Sequence, residues 1–234
     1  MFRIRIQNKK KCIWYCSAVV SFLLLLLLLG WTNHLANTQD AQQMAGRWSE
    51  KKDVAHISCF FSSKAEVTED TIQSFEYSLK NLLQEASITE TSDNPSARLW
   101  VDAYSADGKI TLVNGKNTLD ANAIGIGGDF FMFHPLKLIT GAYFSGNDLM
   151  QDYCIIDQDA AWQLFGSNDV VGMTVYIGNV PHIVTGVVQR PDSRMDKAAG
   201  LNSTVVYVSY ETLSAYGTNN GINHYEIVMP NPVD

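Results

Sequence analysis

The side chains suited to catalysis or metal binding are few and scattered. His134 stands in "GGDFFMFHPLKLITGAYFS", residues 127–145, among five aromatic rings, a proline and three glycines. An imidazole there can bind a metal or move a proton, but either role needs convergent partners. None lies nearby in the chain, so His134 reads as a packed or turn-capping residue before Pro135. Gly125, Gly127 and Gly128 partly mimic a phosphate-binding glycine loop. Their spacing is wrong for one, and no Walker A sequence occurs anywhere. Ser145 and Ser209 lack the G-x-S-x-G setting that exposes a nucleophile. Asp157 precedes a helical pattern and reads as its cap rather than as an acid catalyst. Asn202-Ser203-Thr204 matches a glycosylation sequon, a short motif that often arises by chance. The expectation is no catalytic, cofactor-binding or metal-ligating set in this chain.

The four cysteines support that reading. Cys12 and Cys16 lie in or beside a long apolar run, and Cys59 and Cys154 sit in strand-like runs. They read as buried thiols, with a Cys59–Cys154 disulfide as the alternative outside the cytoplasm. No spacing resembles a zinc site.

Charge divides the chain. Residues 1–11 carry Arg3, Arg5, Lys9, Lys10 and Lys11 and no acid, and the rest carries a net −12 of the total −7. That acidic body excludes a nucleic-acid partner, which would require a basic face. Between the two zones runs "CIWYCSAVVSFLLLLLLLGW", residues 12–31, without a charge. Its length suits a single crossing of a lipid bilayer. Basic residues before it place the N-terminus in the cytoplasm and the remainder outside. "TNHLANTQDAQQMAG" offers no A-x-A-like cleavage site, which favours an uncleaved anchor over a signal peptide.

Beyond the apolar run, 32–53 is polar and reads as a stalk. "HISCFF" alternates as a half-buried strand, with Ile57, Cys59 and Phe61 on one side. Thr68 can cap an amphipathic helix whose apolar face holds Ile72, Phe75, Leu79, Leu82, Leu83 and Ala86. Asp70, Gln73, Glu76, Lys80, Asn81 and Gln84 read as its solvated face. "ARLWVDAYS" alternates again, and Asp107-Gly108 and Asn114-Gly115 are hairpin-type turn signals around "KITLV". "YCIID", a helix ending at Gly166, a "GMTVYI"/"PHIVTGVVQ" hairpin and a loop over 191–203 follow. "STVVYVS", a helix capped by Ser209 and ended by Gly217, and "HYEIVMP" complete the pattern. Phe130, Phe131, Phe133, Leu136, Leu138, Tyr143 and Phe144 read as core. The fold class is α+β.

The order of motifs from Ala123 to Val188 resembles the MacB-like extracytoplasmic core domain of ABC transporter permeases, in the FtsX-type permease family. The resemblance rests on Ala123-Ile124-Gly125-Ile126, Phe130-Phe131, Leu138 through Phe144 with Gly141, and Asp148. It continues with Asp157, Ala161 and Leu164-Phe165-Gly166, then Gly172 through Ile177, then Val184-Thr185-Gly186-Val187. It covers about 54–234.

The residue pattern gives a cytoplasmic tail over 1–11, a transmembrane helix over 12–31 and a stalk over 32–53, and the resemblance fits that anchor. The core domain over 54–234 would then have a porter-like β-α-β part and a smaller β-rich part over 140–190. The resemblance also implies a cell-membrane location, an ABC ATPase subunit and a second permease copy as partners, no cofactor and no catalytic site in this chain. Permeases of this kind carry three further membrane helices, so the chain reads as a piece of one or as a single-span relative. The rival function is a single-span extracellular binding or sensor protein.

Overall fold

A computed structural model of the protein describes residues 9–37, 43–49, 54–88, 98–191, 194–198 and 203–231. The sequon's Asn202 and residues 1–8 of the basic tail lie outside the described residues. The chain forms two compact units, Met1–Gln43 and Met44–Asp234.

The first unit holds helix α1, Lys9–Asn37. Its apolar span, Ile13–Ala36, is long enough to cross a membrane, and its side chains are uncovered. The run 32–53, expected to be a stalk, is described over 32–37 and 43–49. It continues α1 to Asn37, and after undescribed residues it forms helix α2, Met44–Trp48, within the second unit. Met44 is 1% exposed, and Ala45 and Trp48 pack beside it, because these apolar groups leave water against the body.

In the second unit, strand β1 (Val54–Phe60) leads through helix α3 (Glu69–Glu85) to strand β2 (Val101–Asn114). Strand β3 (Asn117–Gly128) pairs back along β2 from Asn114 to Ala103. The one-turn helix α4 (Phe130–Phe133) and strand β4 (Leu138–Gly141) follow. Next come β5 (Tyr153–Asp157), α5 (Gln158–Phe165), β6 (Thr174–Ile177) and β7 (Val180–Val188). The chain ends through α6 (Arg194–Ala198), β8 (Val205–Ser209), α7 (Tyr210–Tyr216), β9 (Thr218–Asn219) and β10 (His224–Pro230).

All ten strands join one sheet in the order β1-β10-β2-β3-β8-β5-β7-β4. β6 pairs with both β7 and β2, so strands β2, β3, β8, β5, β7 and β6 close into a ring. The period-2 alternation of strands puts Ile110, Leu112, Ala121, Ala123, Cys154, Ile156, Val175, Ile177, Val206 and Val208 in one buried cluster. The strands of 140–190 hydrogen-bond to β8 and β2 outside that range, so they share this sheet. At the other end, β1 and β2 both pair antiparallel with β10 and so run parallel with β10 between them. This split β-α-β unit is covered on one face by α3 through Ile72, Leu79 and Leu83.

Local expectations change at several points: Thr68 precedes α3 but its side chain makes no cap hydrogen bond, and Tyr143, read as core, is 36% exposed. Asp107-Gly108 is not a turn, and β2 runs straight through it. A Cβ on Gly108 would meet the Thr218 carbonyl oxygen at 2.3 Å, so this glycine admits β9 rather than reversing the chain. Residues 194–198 of the expected loop are helical. Phe75 and Leu82, expected on the apolar face of α3, are 45% and 62% exposed, because only a narrow stripe meets the sheet. Asn114-Gly115 behaves as its type predicts, with Gly115 at φ +59 and Asn114 paired to Asn117.

Candidate functional site

The residues singled out by type take structural positions in most cases. Asp157 is 2% exposed and caps α5, its Oδ1 accepting from Ala160 N at 2.7 Å. Its Oδ2 accepts from Arg190 Nε and Nη2 at 3.1 and 2.8 Å and from Val205 N at 3.1 Å. The Ser209 hydroxyl accepts from Thr212 N at 3.1 Å and caps α7. The Ser145 hydroxyl accepts from Asn147 N at 3.1 Å within its own turn. Gly125 and Gly127 make room for side chains: added Cβ atoms would meet Leu213 at 2.7 Å and the Tyr104 ring at 2.0 Å. Cys59 and Cys154 are free thiols in different clusters, and burial pushes the Cys154 thiol up to about 12.

A groove of about 360 Å³ opens between α3 and the sheet. Glu69, Gln73, Glu76 and Lys80 line one wall, and Arg98, Trp100, Asp102 and Tyr104 line the other. Glu76, read from sequence as solvated, is in fact half-buried. It belongs to the stripe Ile72, Glu76, Leu79, Leu83, whose spacing is that of one helix face. Burial, and then the facing Asp102, raise its carboxyl from 4.5 to about 7. Burial also raises Asp102, which accepts from the Tyr225 hydroxyl at 3.1 Å.

A folded carboxyl that holds its proton above the unfolded value stabilises the body fully below about pH 4.5. That contribution disappears as pH rises through about 7. Glu76 therefore contributes a fall in the unfolding midpoint between pH 5 and pH 8, which a variant at this position isolates from the opposite contribution of His224. Glu76→Gln should flatten this slope and be about 1 kcal/mol more stable than wild type at pH 8, a value reduced for the exposed half of the side chain. Parallel slopes for the two proteins would remove Glu76 as the cause.

His134 does not stand alone. On the face of β1 and β10 opposite α3, Ser58 is paired with Glu226, Phe60 with His224 and His56 with Val228. Alternation along both strands gathers His56, Ser58, His224 and Glu226 on this one face. The turn after α4 brings in His134, whose Nε2 lies 2.7 Å from Glu226 Oε2. His224 Nε2 and His56 Nε2 lie 3.6 and 3.8 Å from Glu226 Oε1, which also accepts from the Ser58 hydroxyl at 2.9 Å.

Aromatic rings fix the imidazoles. Phe60 stacks on His224 at 4.5 Å, Phe130 lies 4.8 Å from His134, and Phe133 lies 5.7 Å from His56. Burial alone would raise the Glu226 carboxyl, but His134, Ser58 and His224 outweigh it and hold it below its ordinary value. Burial lowers His224, against the pull of Glu226. The set can hold a proton or a metal ion. His134 has no partner in its own stretch of chain, because its partners lie 78 residues before it and about 90 after it. The signal within reach was the alternation His56-x-Ser58 and His224-x-Glu226 in two recognised strands.

The sequence matches the family described as the MacB-like periplasmic core domain over residues 19–234. It is 32% identical over 99 residues to the macrolide export ATP-binding/permease protein MacB of Chromobacterium violaceum, covering 42% of this chain and 15% of that protein. To the protein of the same name from Pasteurella multocida it is 30% identical over 98 residues, covering 41% and 14%. The chain thus aligns to about one seventh of the length of these relatives. Among solved structures, the periplasmic region of MacB from Actinobacillus actinomycetemcomitans is similar at TM-score 0.43 and 24% identity, covering 59% of this chain and 63% of that one. The extracellular domain of the noncanonic ABC-type transporter YknZ from Gram-positive bacteria gives 0.40 and 23%, covering 55% and 63%. With a family match that runs from inside α1 through every strand of the sheet, the chain belongs to the MacB-like periplasmic core domain family.

Proposed function

We propose that the chain is the anchored extracytoplasmic part of an ABC transporter permease subunit, working by movement rather than by chemistry. ATP hydrolysis on a partner ATPase would shift α1 in the membrane, and the body beyond it would move as one piece. The observation that carries this reading is the single family match that takes in most of the apolar helix together with the whole body. A ring of strands closed by β6, with a β2–β3 hairpin of 14 and 12 residues, suits a part that must transmit motion without deforming. The basic N-terminal residues orient α1 with its start in the cytoplasm. A second copy of the subunit would complete the assembly.

The test is affinity capture of the full-length gene product from detergent-solubilised membranes of its own host. An ABC ATPase encoded beside it is expected in the captured fraction, in equal amount to the subunit. Recovery of the subunit without any ATPase, at a yield where equal amounts would be seen, sinks the reading and leaves the single-span sensor.

A further inference from the structure

We propose that His56, His134, His224 and Glu226 form a binding site for one divalent transition-metal ion of the zinc class. Three imidazoles and one carboxylate are a donor set suited to zinc, whereas magnesium and calcium take oxygen ligands. Zinc–nitrogen bonds of about 2.0–2.1 Å at tetrahedral angles place ligand atoms about 3.3–3.4 Å apart. The nitrogens of His224 and His56 lie 3.6 and 3.8 Å from Glu226 Oε1, a few tenths of an ångström outside that figure. Potential donor atoms of His134, His224 and Glu226 all lie within 4.8 Å of one another; His56 stands outside that group and reaches it through Glu226, 3.8 Å from its Nε2. Binding would replace the close His134–Glu226 contact by two bonds to the ion.

Two independent features point to a ligand rather than to packing. Nε2 of His56 and Nε2 of His224 are both buried without a hydrogen-bond partner among the described residues, and each has Glu226 Oε1 as a near neighbour. A buried nitrogen left unpaired is costly, and an ion held by Glu226 would satisfy His224 directly and His56 after a small approach. The second feature is the support around the set. Ser58 donates to Glu226 Oε1, and the rings of Phe60, Phe130 and Phe133 lie against the imidazoles, which is how outer groups orient metal ligands. The His134 side chain is 26% exposed and gives the ion a way in.

The ion would join three segments distant in the chain: the edge strand β1, the turn after α4, and β10. Three ligands are already gathered, and drawing His56 in as the fourth would make the site of the closed, structural kind and fasten β1 to the sheet. This inference stands on the side chains of this chain and is independent of the proposed transport role.

The full chain, purified in detergent without a histidine tag and stripped with a chelator, is titrated with Zn(II) and with Co(II). One equivalent of Zn(II) per chain is expected, raising the melting temperature by about 5–10 °C at hundredfold excess over the dissociation constant. Co(II) should give the visible bands of a tetrahedral nitrogen–oxygen site. His224→Ala and His134→Ala should each weaken binding by about 100-fold or more. Octahedral Co(II) bands, a thiolate-to-cobalt charge-transfer band, or wild-type affinity in a folded His224→Ala protein each overturn the proposal. Should the variants not fold, the wild-type cobalt spectrum still decides it.

Discussion

Asp157→Ala is expected to destabilise the body by about 3–5 kcal/mol, the cost of removing one partner from a buried, hydrogen-bonded ion pair. Asp157 is 2% exposed and joins three elements at once. One oxygen caps α5, and the other holds Arg190 after β7 and the first amide of β8. Alanine would leave the Ala160 and Val205 amides without this acceptor. Arg190 would remain beside Asp159 at 2.5 Å and Thr204 at 2.9 Å, so it would not be stranded entirely. Asp157→Asn keeps one acceptor oxygen and should cost about half as much. Denaturant unfolding of the full chain in detergent, followed by tryptophan fluorescence, measures both. A loss below about 1 kcal/mol for Asp157→Ala would show that the network carries little of the stability.

Phe133→Ala is expected to cost a similar 3–5 kcal/mol, for a different reason. Phe133 is completely buried, at the end of a single helical turn of four residues. Such a turn cannot hold itself, because helix nucleation costs more than one turn returns. Phe130, Phe131 and Phe133 must therefore hold it by their own burial, in the cluster with Ile126, Phe144, Ile155 and Val188. Truncation leaves a ring-sized cavity and frees the turn that carries His134. Phe165, whose ring is only partly buried, gives the contrast: Phe165→Ala should cost clearly less. Equal losses at 133 and 165 would mean that burial does not set the scale here.

Periodicity and capping chemistry lie in neighbouring residues, so they could be read before the fold was known. Asp157 and Ser209 cap their helices as their positions before apolar runs required. Gly166 ends α5 in the left-handed conformation at φ +73. Gly178 and Asn179, at φ +56 and +67, make the tight hairpin between β6 and β7 that their dipeptide announces. The apolar run predicted over 12–31 is present within α1. The order of motifs from Ala123 to Val188 pointed to the family that the match over 19–234 supports.

The tertiary structure decided whatever depended on which strand lies beside which. Asp107-Gly108 has the composition of a turn, yet it is strand, because β9 and Leu213 approach where a side chain would have stood. Glu76 has the composition of a solvated residue, yet it faces Asp102, because the stripe that packs on the sheet includes it. His134 looked isolated in its own stretch of chain. It meets His224 and Glu226 only because β10, from the far end of the chain, inserts between β1 and β2. Local sequence fixes turns, caps and faces because those energies come from residues a few positions apart. A cluster assembled from positions 56, 134, 224 and 226 is set by strand order, which no local pattern encodes.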